Sequence, residues 1–482
     1  MKRATVVSFL ALLLFPALAL AQAEVERFDR TLEQIQTDQR LLINPDLPIT
    51  ERTFIDYGGY TDAQWISFDD YKGDNHAFWQ EDLVGYLHAQ LDGANEVFFR
   101  GRLYHRDFNP GDRFSTQGED IDGYVERAFY RFDLAQYESA YHGKQIDGDL
   151  SVKLGRDLVI WGDGLTLNEP LDAGVFDLSR GRFSLEMLAG VTPLNTVDFD
   201  SSRPSFDSRT SRGLYGGIAS VRIGQQKPFV FVLDQRDYNK QQILADATDS
   251  SVIPTRFSYN SHYIGIGSTG ALTDRLSYGL EAVYEGGNDL SNSYTTNAAG
   301  QTSPVTQTRD PIEAYAVDGR LDYAIPDEHG TRLSLETIAA TGDHDRDSTT
   351  NTLGGNKPGS KDRAFDAFGL LNLGVAFAPP LSNLIALRMG GSTFPLPGSE
   401  LFEHLQIGTD LFLFGKADAD APVDEPTNDR TYLGFEPDLY FNWGITSDVT
   451  LATRYGIFLP GDGIAGDHRV RQFLYSGLTF SF

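Results

Sequence analysis

The chain has 482 residues, a formal net charge of −28 at pH 7 and no cysteine. The acidic excess argues against nucleic acid as a partner, because phosphate binding needs a basic surface. The absence of cysteine excludes disulfides as a source of stability. With 48 Gly, 12% aromatic and only 40% hydrophobic residues, the composition suits many short alternating strands better than a thick helical core.

The amino terminus predicts a secretory signal peptide over residues 1–23. A basic start at Lys2 and Arg3 precedes an apolar run that ends at Leu20, and small residues up to Ala23 suit cleavage. No later stretch approaches the roughly 20 apolar residues that a membrane helix needs. We therefore expect an exported protein that is either soluble or a membrane β-barrel.

Residues 24–52 form a short segment of different character before the strands begin. Apolar side chains recur there at steps of three and four among charged residues, which predicts a short amphipathic helix; they are Val25, Phe28, Leu32, Ile35 and Leu42. We interpret this segment as a periplasmic plug or docking helix, with a frayed leader as the alternative.

Residues 53–482 alternate between strand and turn, and they predict an all-β fold, a transmembrane antiparallel β-barrel. Eighteen strands fit this pattern best, with 16 as the alternative. Pro437 lies inside one of them and is expected to cause a bulge. The strands are expected at 53–69, 77–91, 95–106, 123–133, 149–161, 173–180, 183–193, 213–224, 227–236, 255–267, 275–287, 311–323, 330–341, 382–395, 401–414, 431–444, 448–459 and 470–482.

The connections between these strands alternate between tight turns and long polar loops. Thr446–Asp448 is one of the tight turns, and Gly342–Leu381 is the longest loop. Outer-membrane barrels show this pattern, with short turns at the periplasmic rim and long loops outside. A soluble sandwich has no reason to alternate in this way.

The last strand supplies the register for the whole wall. Phe482, Phe480 and Leu478 share one face, and Arg471 lies on the other. A strand that ends on an aromatic residue suits a barrel, because it must pair with the first strand to leave no open edge. The edge strand of a soluble sandwich is the alternative.

With those aromatic residues facing lipid, alternation assigns many charged residues to the inner wall. An 18-stranded interior is too wide to be filled by side chains alone. Guanidinium groups there can bind a passing carboxylate, and acidic residues among them favour release. The candidate substrate-contacting residues are Arg100, Arg102, Arg320, Arg388, Arg454, Arg471, Asp318, Glu436 and Asp438.

Several stretches resemble the alginate-export outer-membrane proteins: YVERAFYRFDL (124–134), LSVKLGRDLVIWGDG (150–164), FSLEMLAGV (183–191), LSNLIALRMGGSTF (381–394) and RYGIFLPGDG (454–463). The resemblance implies an 18-stranded barrel with an electropositive constriction that passes an acidic exopolysaccharide. It also implies that Arg127, Arg156 and Arg454 line the lumen. Arg156 is in phase with Leu154, so a bulge at Gly155 is needed to turn it inward.

The chain departs from that family in its loops. The family has a long plugging loop before its last two strands, where this sequence has only the Thr446–Asp448 turn. The Gly342–Leu381 loop and the helix at 24–42 are the candidates to take its place.

Neither cofactor binding nor catalysis has a strong motif. Asp343, Asp345 and Asp347 begin like a calcium loop but lack the glycine and glutamate of an EF-hand, so no cofactor is expected beyond weak loop Ca²⁺. His88 and His404 could serve a membrane hydrolase, but no GxSxG nucleophile motif accompanies them. We therefore expect no enzyme.

These observations favour an outer-membrane channel through which an anionic exopolysaccharide, alginate or a relative, diffuses out of a Gram-negative cell. Its expected partners are that polysaccharide, outer-membrane lipid and periplasmic export or scaffold proteins. The first alternative is a porin-type uptake channel for small carboxylates or general solutes. An outer-membrane enzyme and a structural barrel filled by its amino-terminal helix are the others.

Overall fold

A computed structural model describes residues 54–482, except residues 92, 111–118, 195, 204–209, 240–241, 247–251, 297–301 and 348–353. The predicted signal peptide at 1–23 and the predicted helical segment at 24–52 lie outside the described residues. Among the described residues, no helix is long and apolar enough to cross a membrane.

Eighteen antiparallel strands form one sheet. They are β1 (Phe54–Asp69), β2 (Asn75–Gln90), β3 (Asn95–Phe108), β4 (Glu119–Asp133), β5 (Asp149–Trp161), β6 (Leu167–Arg180), β7 (Phe183–Val191), β8 (Arg212–Val221), β9 (Gln226–Asp237), β12 (Tyr259–Thr273), β13 (Leu276–Leu290), β16 (Arg309–Ala324), β17 (Arg332–Ala340), β18 (Ile385–Thr393), β19 (Leu405–Gly415), β20 (Tyr432–Gly444), β21 (Val449–Pro460) and β22 (Arg471–Ser481). Two loop hairpins add β10 (Gln242–Asp246) with β11 (Val252–Arg256), and β14 (Tyr294–Thr296) with β15 (Thr302–Pro304).

The sheet closes on itself, because β1 pairs with β2 on one side and with β22 on the other. The closing register runs from Tyr60 opposite Ser481 to Phe68 opposite Phe473. Phe482 then exchanges two backbone hydrogen bonds with Gly59, of 3.0 and 2.9 Å. The predicted 18-stranded barrel and the closing role of the last strand are confirmed.

One rim of the barrel carries short turns and the other carries long loops, as predicted. The β4–β5 connection departs from this pattern at the short-turn rim, because it contains helix α1 (Leu134–His142). At the loop rim, the β1–β2 and β5–β6 connections are short and span residues 70–74 and 162–166. The Asp133 side chain caps this helix by accepting the Gln136 N–H, and Gly143 ends it in the left-handed conformation at φ 63°. Strand β6 is longer than predicted and begins at Leu167 instead of residue 173.

The outer wall is an apolar band. Leu83 and Leu87 on β2 are 50% and 45% exposed, whereas Gln80 and Asp82 on the same strand are buried inside. The same alternation brings Phe480 and Phe482 to the outside. Since a charge on the lipid face costs about 2–4 kcal/mol for Arg or Lys at midplane, this pattern fixes the register of each strand.

One predicted bulge is displaced. Pro437 sits in β20 without a register shift. The shift falls instead between Phe414 and Gly415 on β19, opposite Gly434, whose φ is 156°. This irregularity turns Leu433 inward, where it is fully buried. Simple alternation along the strand predicts that Leu433 faces lipid with Phe435, and that prediction is wrong.

The lumen is not an open cylinder. Apolar side chains fill the interior along β5 to β17 and enclose Trp161, Leu165 and Phe365. A second apolar cluster joins the loop after β17 to β19, β20 and β21 through Phe377, Phe414 and Phe458. Residues 365–384 of the loop between β17 and β18 therefore lie inside the barrel.

Candidate functional site

Residues 365–383, which we call the strap, form the part of this loop that crosses the lumen. The strap begins and ends at one point, because the Thr341 carbonyl accepts the backbone N–H of both Phe365 and Asn383 at 3.1 Å. Thr341 follows β17 directly. The strap is therefore a loop whose two ends are both hydrogen-bonded to the residue that follows β17.

The strap touches the barrel wall at widely separated strands. The Asn168 N–H on β6 donates to the Phe368 carbonyl at 2.7 Å. At the other extreme, Val375, Ala376 and Phe377 donate their backbone N–H groups to the Glu436 carboxylate on β20. These contacts place the strap, the later part of the Gly342–Leu381 loop, in the lumen.

A cavity of about 380 Å³ lies between the strap and the inner wall of β18–β21. The strap contributes backbone and small side chains, including Gly374 and Val375. The wall contributes the polar and charged groups Arg388, Gln406, Asp410, Asp438, Tyr440, Asn442 and Arg454. This cavity is the strongest candidate site, since a few polar groups converge there beside an apolar surface.

The two guanidinium groups of this cavity have different surroundings. Arg388 binds two carboxylates, Asp410 at 2.8 Å and Glu336 at 3.1 Å. Arg454 donates to the Asn442 side-chain oxygen at 2.8 Å and lies 4.9 Å from the centre of the Tyr440 ring. Arg388 is therefore paired with two carboxylates, whereas the Arg454 guanidinium is oriented by Asn442 and the Tyr440 ring.

A second group of arginines lies on the inner wall of β3 and β4. Arg102 pairs with Asp82 at 2.8 Å, and Arg100 pairs with Glu126 at 2.5 Å. Arg127 pairs with Asp157 on β5 at 2.5 Å. All three face the lumen as predicted, and each is matched by a carboxylate. Their contact with substrate stays a prediction.

The other predicted inner residues also lie on the inner wall, away from the cavity. Arg320 lies 3.5 Å from Asp163 and 3.2 Å from Asp322. Asp318 is 2% exposed, and neither carboxylate oxygen has a hydrogen-bond partner among the described residues. Arg471 forms two 2.8 Å hydrogen bonds to Glu425 in the β19–β20 loop.

The structure does not support the lumenal placement of Arg156. The β4–β5 and β5–β6 ladders pass Gly155 without a register shift, so the expected bulge is missing. Arg156 therefore points outward with Leu154, where it pairs with Asp172 at 2.7 Å. It also donates to the Val125 carbonyl at 3.0 Å, beside a real bulge in β4.

Sequence reasoning missed the strap residues and the buried Trp161. Trp161 is 1% exposed inside the barrel, and its indole N–H donates to Glu186 at 2.6 Å. The available signal was the apolar run GLLNLGVAFAPPL at 369–381, because a loop exposed to solvent has no need of so many apolar side chains.

Metal binding gains no support in the part of the chain that the structure describes. No group of three or more His, Cys, Asp or Glu side chains there is arranged to hold a metal ion. Asp343, the first residue of the calcium-like stretch, lies 3.2 Å from Arg346 instead.

Comparison with known proteins agrees with the fold. No model of a protein family matches the sequence, and no curated protein matches it significantly. Similar solved structures include Pseudomonas aeruginosa OccK5 (OpdH), at 10% identity and a TM-score of 0.51, covering 89% of this chain and 98% of that one. Acinetobacter baumannii OccAB1 matches at 11% identity and a TM-score of 0.50, covering 89% and 96%. At these identities the likeness shows the fold alone.

These matches correct the resemblance drawn from short sequence stretches. The matching structures are 18-stranded porins of the Occ type, so the assignment to the alginate-export family is wrong. The chain has the closed 18-stranded antiparallel barrel fold of an outer-membrane protein. An anionic polysaccharide is not supported as its partner.

Proposed function

We propose that this barrel is a passive channel for small water-soluble solutes across the outer membrane. The observation that carries the proposal is the strap, which reduces the lumen beside β18–β21 to a cavity of about 380 Å³. Pockets for small molecules measure roughly 300–1,000 Å³. A cavity at the lower end of that range suits one small molecule at a time.

The charges of the cavity favour small solutes that carry a carboxylate. Arg454 is hydrogen-bonded to Asn442 beside the Tyr440 ring, so its guanidinium is oriented within the lining of the cavity, together with that of Arg388. Asp410 and Asp438 lie in the same lining. Binding groups of both signs keep any one solute from being held tightly, and conduction needs release as much as entry.

The solved structures of similar fold point in the same direction. Occ porins transport small solutes such as carboxylates and amino acids. Unselective diffusion of general solutes is the alternative for the same fold. The two possibilities differ in how strongly a substitution of Arg454 is expected to change the ion selectivity of the channel.

Liposome swelling and planar-bilayer recording test the proposal. The purified barrel is expected to admit monosaccharides and small carboxylates, to exclude larger oligosaccharides, and to be insensitive to uronate polymers. Permeation of the polymer, or no permeation of any solute by a folded barrel, would contradict it.

A charge reversal tests the role of the cavity within that function. Arg454→Glu is expected to lower the permeability of chloride and carboxylates relative to potassium by several-fold, because it replaces the oriented guanidinium with a carboxylate. Arg182→Glu, at an exposed turn, makes the same charge change outside the cavity and is the matched control. Equal shifts in the two variants would favour unselective diffusion.

A further inference from the structure

Glu436 holds the strap by an unusual contact. It lies on β20, is fully buried, and accepts three consecutive backbone N–H groups. The distances are 2.7 Å from Val375, 2.7 Å from Ala376 and 2.8 Å from Phe377. Among the described residues, no basic side chain forms an ion pair with it. The backbone of the strap therefore takes the place that an arginine holds at inward acids such as Asp82 and Asp410.

The local conformation of the strap is shaped to make this contact. Gly374 has a φ of 84°, and a Cβ there would lie 2.6 Å from a Glu436 carboxylate oxygen. Consecutive N–H groups that converge on one point form an anion-binding concavity. The glycine thus lets the chain turn tightly enough to present all three donors to a single carboxylate.

The segment Gly374–Phe377, which holds the Glu436 carboxylate, also forms the edge of the cavity. Gly374 and Val375 line it directly. Phe377 stacks on Phe458 of β21, with ring centres 4.2 Å apart and planes 4° from parallel. A shift of this segment away from β20 would move the strap side of the cavity while the barrel wall stays in place.

We propose that Glu436 is a positioning residue that sets the width of the channel by holding Val375–Phe377 against β20. This inference rests on the proposed channel function and assigns Glu436 a role other than contact with solute. On the opposite side of the lumen, Leu370 donates to the Gly164 carbonyl at 3.2 Å and accepts from the Asn168 side chain at 3.3 Å. The Glu436 carboxylate therefore fixes the far side of the crossing.

The test compares single-channel conductance and the solute size limit of three folded barrels. Glu436→Gln removes the charge and turns one acceptor into a donor that faces the strap N–H groups. It is expected to raise conductance on the order of twofold and to admit larger sugars, because the constriction controls both quantities. Asp62→Asn is the control, since Asp62 on β1 is another buried inward carboxylate, which accepts a hydrogen bond from Gln64 at 2.8 Å; its conductance is expected to stay unchanged.

A second variant keeps the inference testable if Glu436→Gln does not fold. Phe377→Ala leaves Glu436 intact and removes the ring stacked on Phe458, so it loosens the same segment from the strap side. Wider pores in the folded variants support the inference. Wild-type conductance in them overturns it, as does an equal increase in Asp62→Asn. A wild-type barrel that conducts nothing contradicts the channel function itself, which separates the two failures.

Discussion

The ion pair of Arg156 with Asp172 shows that the type of a residue does not predict which face of the barrel wall its side chain occupies. Arg156 lies on the outer wall between lipid-facing leucines, and its side chain is 23% exposed. It satisfies the Val125 carbonyl, beside the β4 bulge. Asp172 balances its charge in a position where either charge alone is costly. Its role is to support the wall and not to contact solute.

We predict that Arg156→Ala lowers the free energy of unfolding by about 1–2 kcal/mol, because it leaves Asp172 alone on the lipid face. Replacing both residues with leucine is expected to recover most of the loss, since an apolar pair often substitutes for an ion pair. Urea unfolding of the barrel in lipid bilayers measures both values, and ion selectivity should not change. A selectivity shift in Arg156→Ala would place the side chain in the lumen after all.

At the scale of elements, closure of the barrel depends on close approach of β1 to its neighbours. Gly59 exchanges hydrogen bonds with Phe482, and a Cβ at Gly59 would lie 2.3 Å from the Val84 carbonyl oxygen. Gly85, which is paired with Gly59 across β1 and β2, has open space around the corresponding position.

This pair of glycines gives a matched prediction. Gly59→Ala is expected to cost about 1–3 kcal/mol through overpacking. Gly85→Ala is expected to stay within about 0.5 kcal/mol of the wild type, as surface substitutions usually do. The temperature at which the folded band is lost in electrophoresis ranks the two variants. If Gly59→Ala is as stable as Gly85→Ala, then β1 tolerates a side chain at Gly59.

Two long loops meet through a titratable contact. His344, in the β17–β18 loop, lies 2.8 Å from the Asp418 carboxylate in the β19–β20 loop. This hydrogen bond, with the surrounding acidic charge, raises the pKa of His344 above its usual 6.5. A raised histidine pKa contributes stability that is fully present below the usual value and disappears as pH rises through the folded-state value.

We therefore expect the wild type to exceed His344→Gln in stability at pH 5.5 and to lose that advantage by pH 8.5. Limited proteolysis of the two loops at the two pH values measures the difference. The contact is largely exposed, so a small effect is expected. A stability difference between wild type and His344→Gln that grows with pH would show that the neutral form of His344 makes the stabilising contact.

At the scale of the whole molecule, the strand count and the pairing of the last strand with the first determine the orientation. Both ends of the barrel wall lie at the rim of short turns, which is the periplasmic rim in outer-membrane barrels. The long loops, including the β21–β22 connection that contains Asp467, then lie outside the cell.

Because the chain has no cysteine, single introduced cysteines report this orientation directly. Asp467→Cys is expected to react with a membrane-impermeant maleimide in intact cells. Lys144→Cys, just after α1, is expected to react only after lysis. Both positions are exposed, so labelling of Lys144→Cys in intact cells would reverse the orientation.

The sequence by itself determined the wall. Alternation of apolar and polar residues has a period of two, so it is read locally, strand by strand. It gave the number of strands, the closing pair, and the inner positions of Arg388 and Arg454. Where a bulge intervenes, as at Gly434, the local pattern fails and Leu433 is placed on the wrong face.

Only the tertiary structure decided how the strap crosses the interior of the barrel. Glu436 and Val375 are 61 residues apart, and nothing in either local sequence names the other as its partner. Their contact exists because a buried carboxylate needs hydrogen-bond donors, and buried backbone N–H groups need hydrogen-bond acceptors. Burial of the apolar run at 369–381 brings the two together. The path of the strap, and with it the size of the cavity, follows from these long-range requirements and not from any single motif.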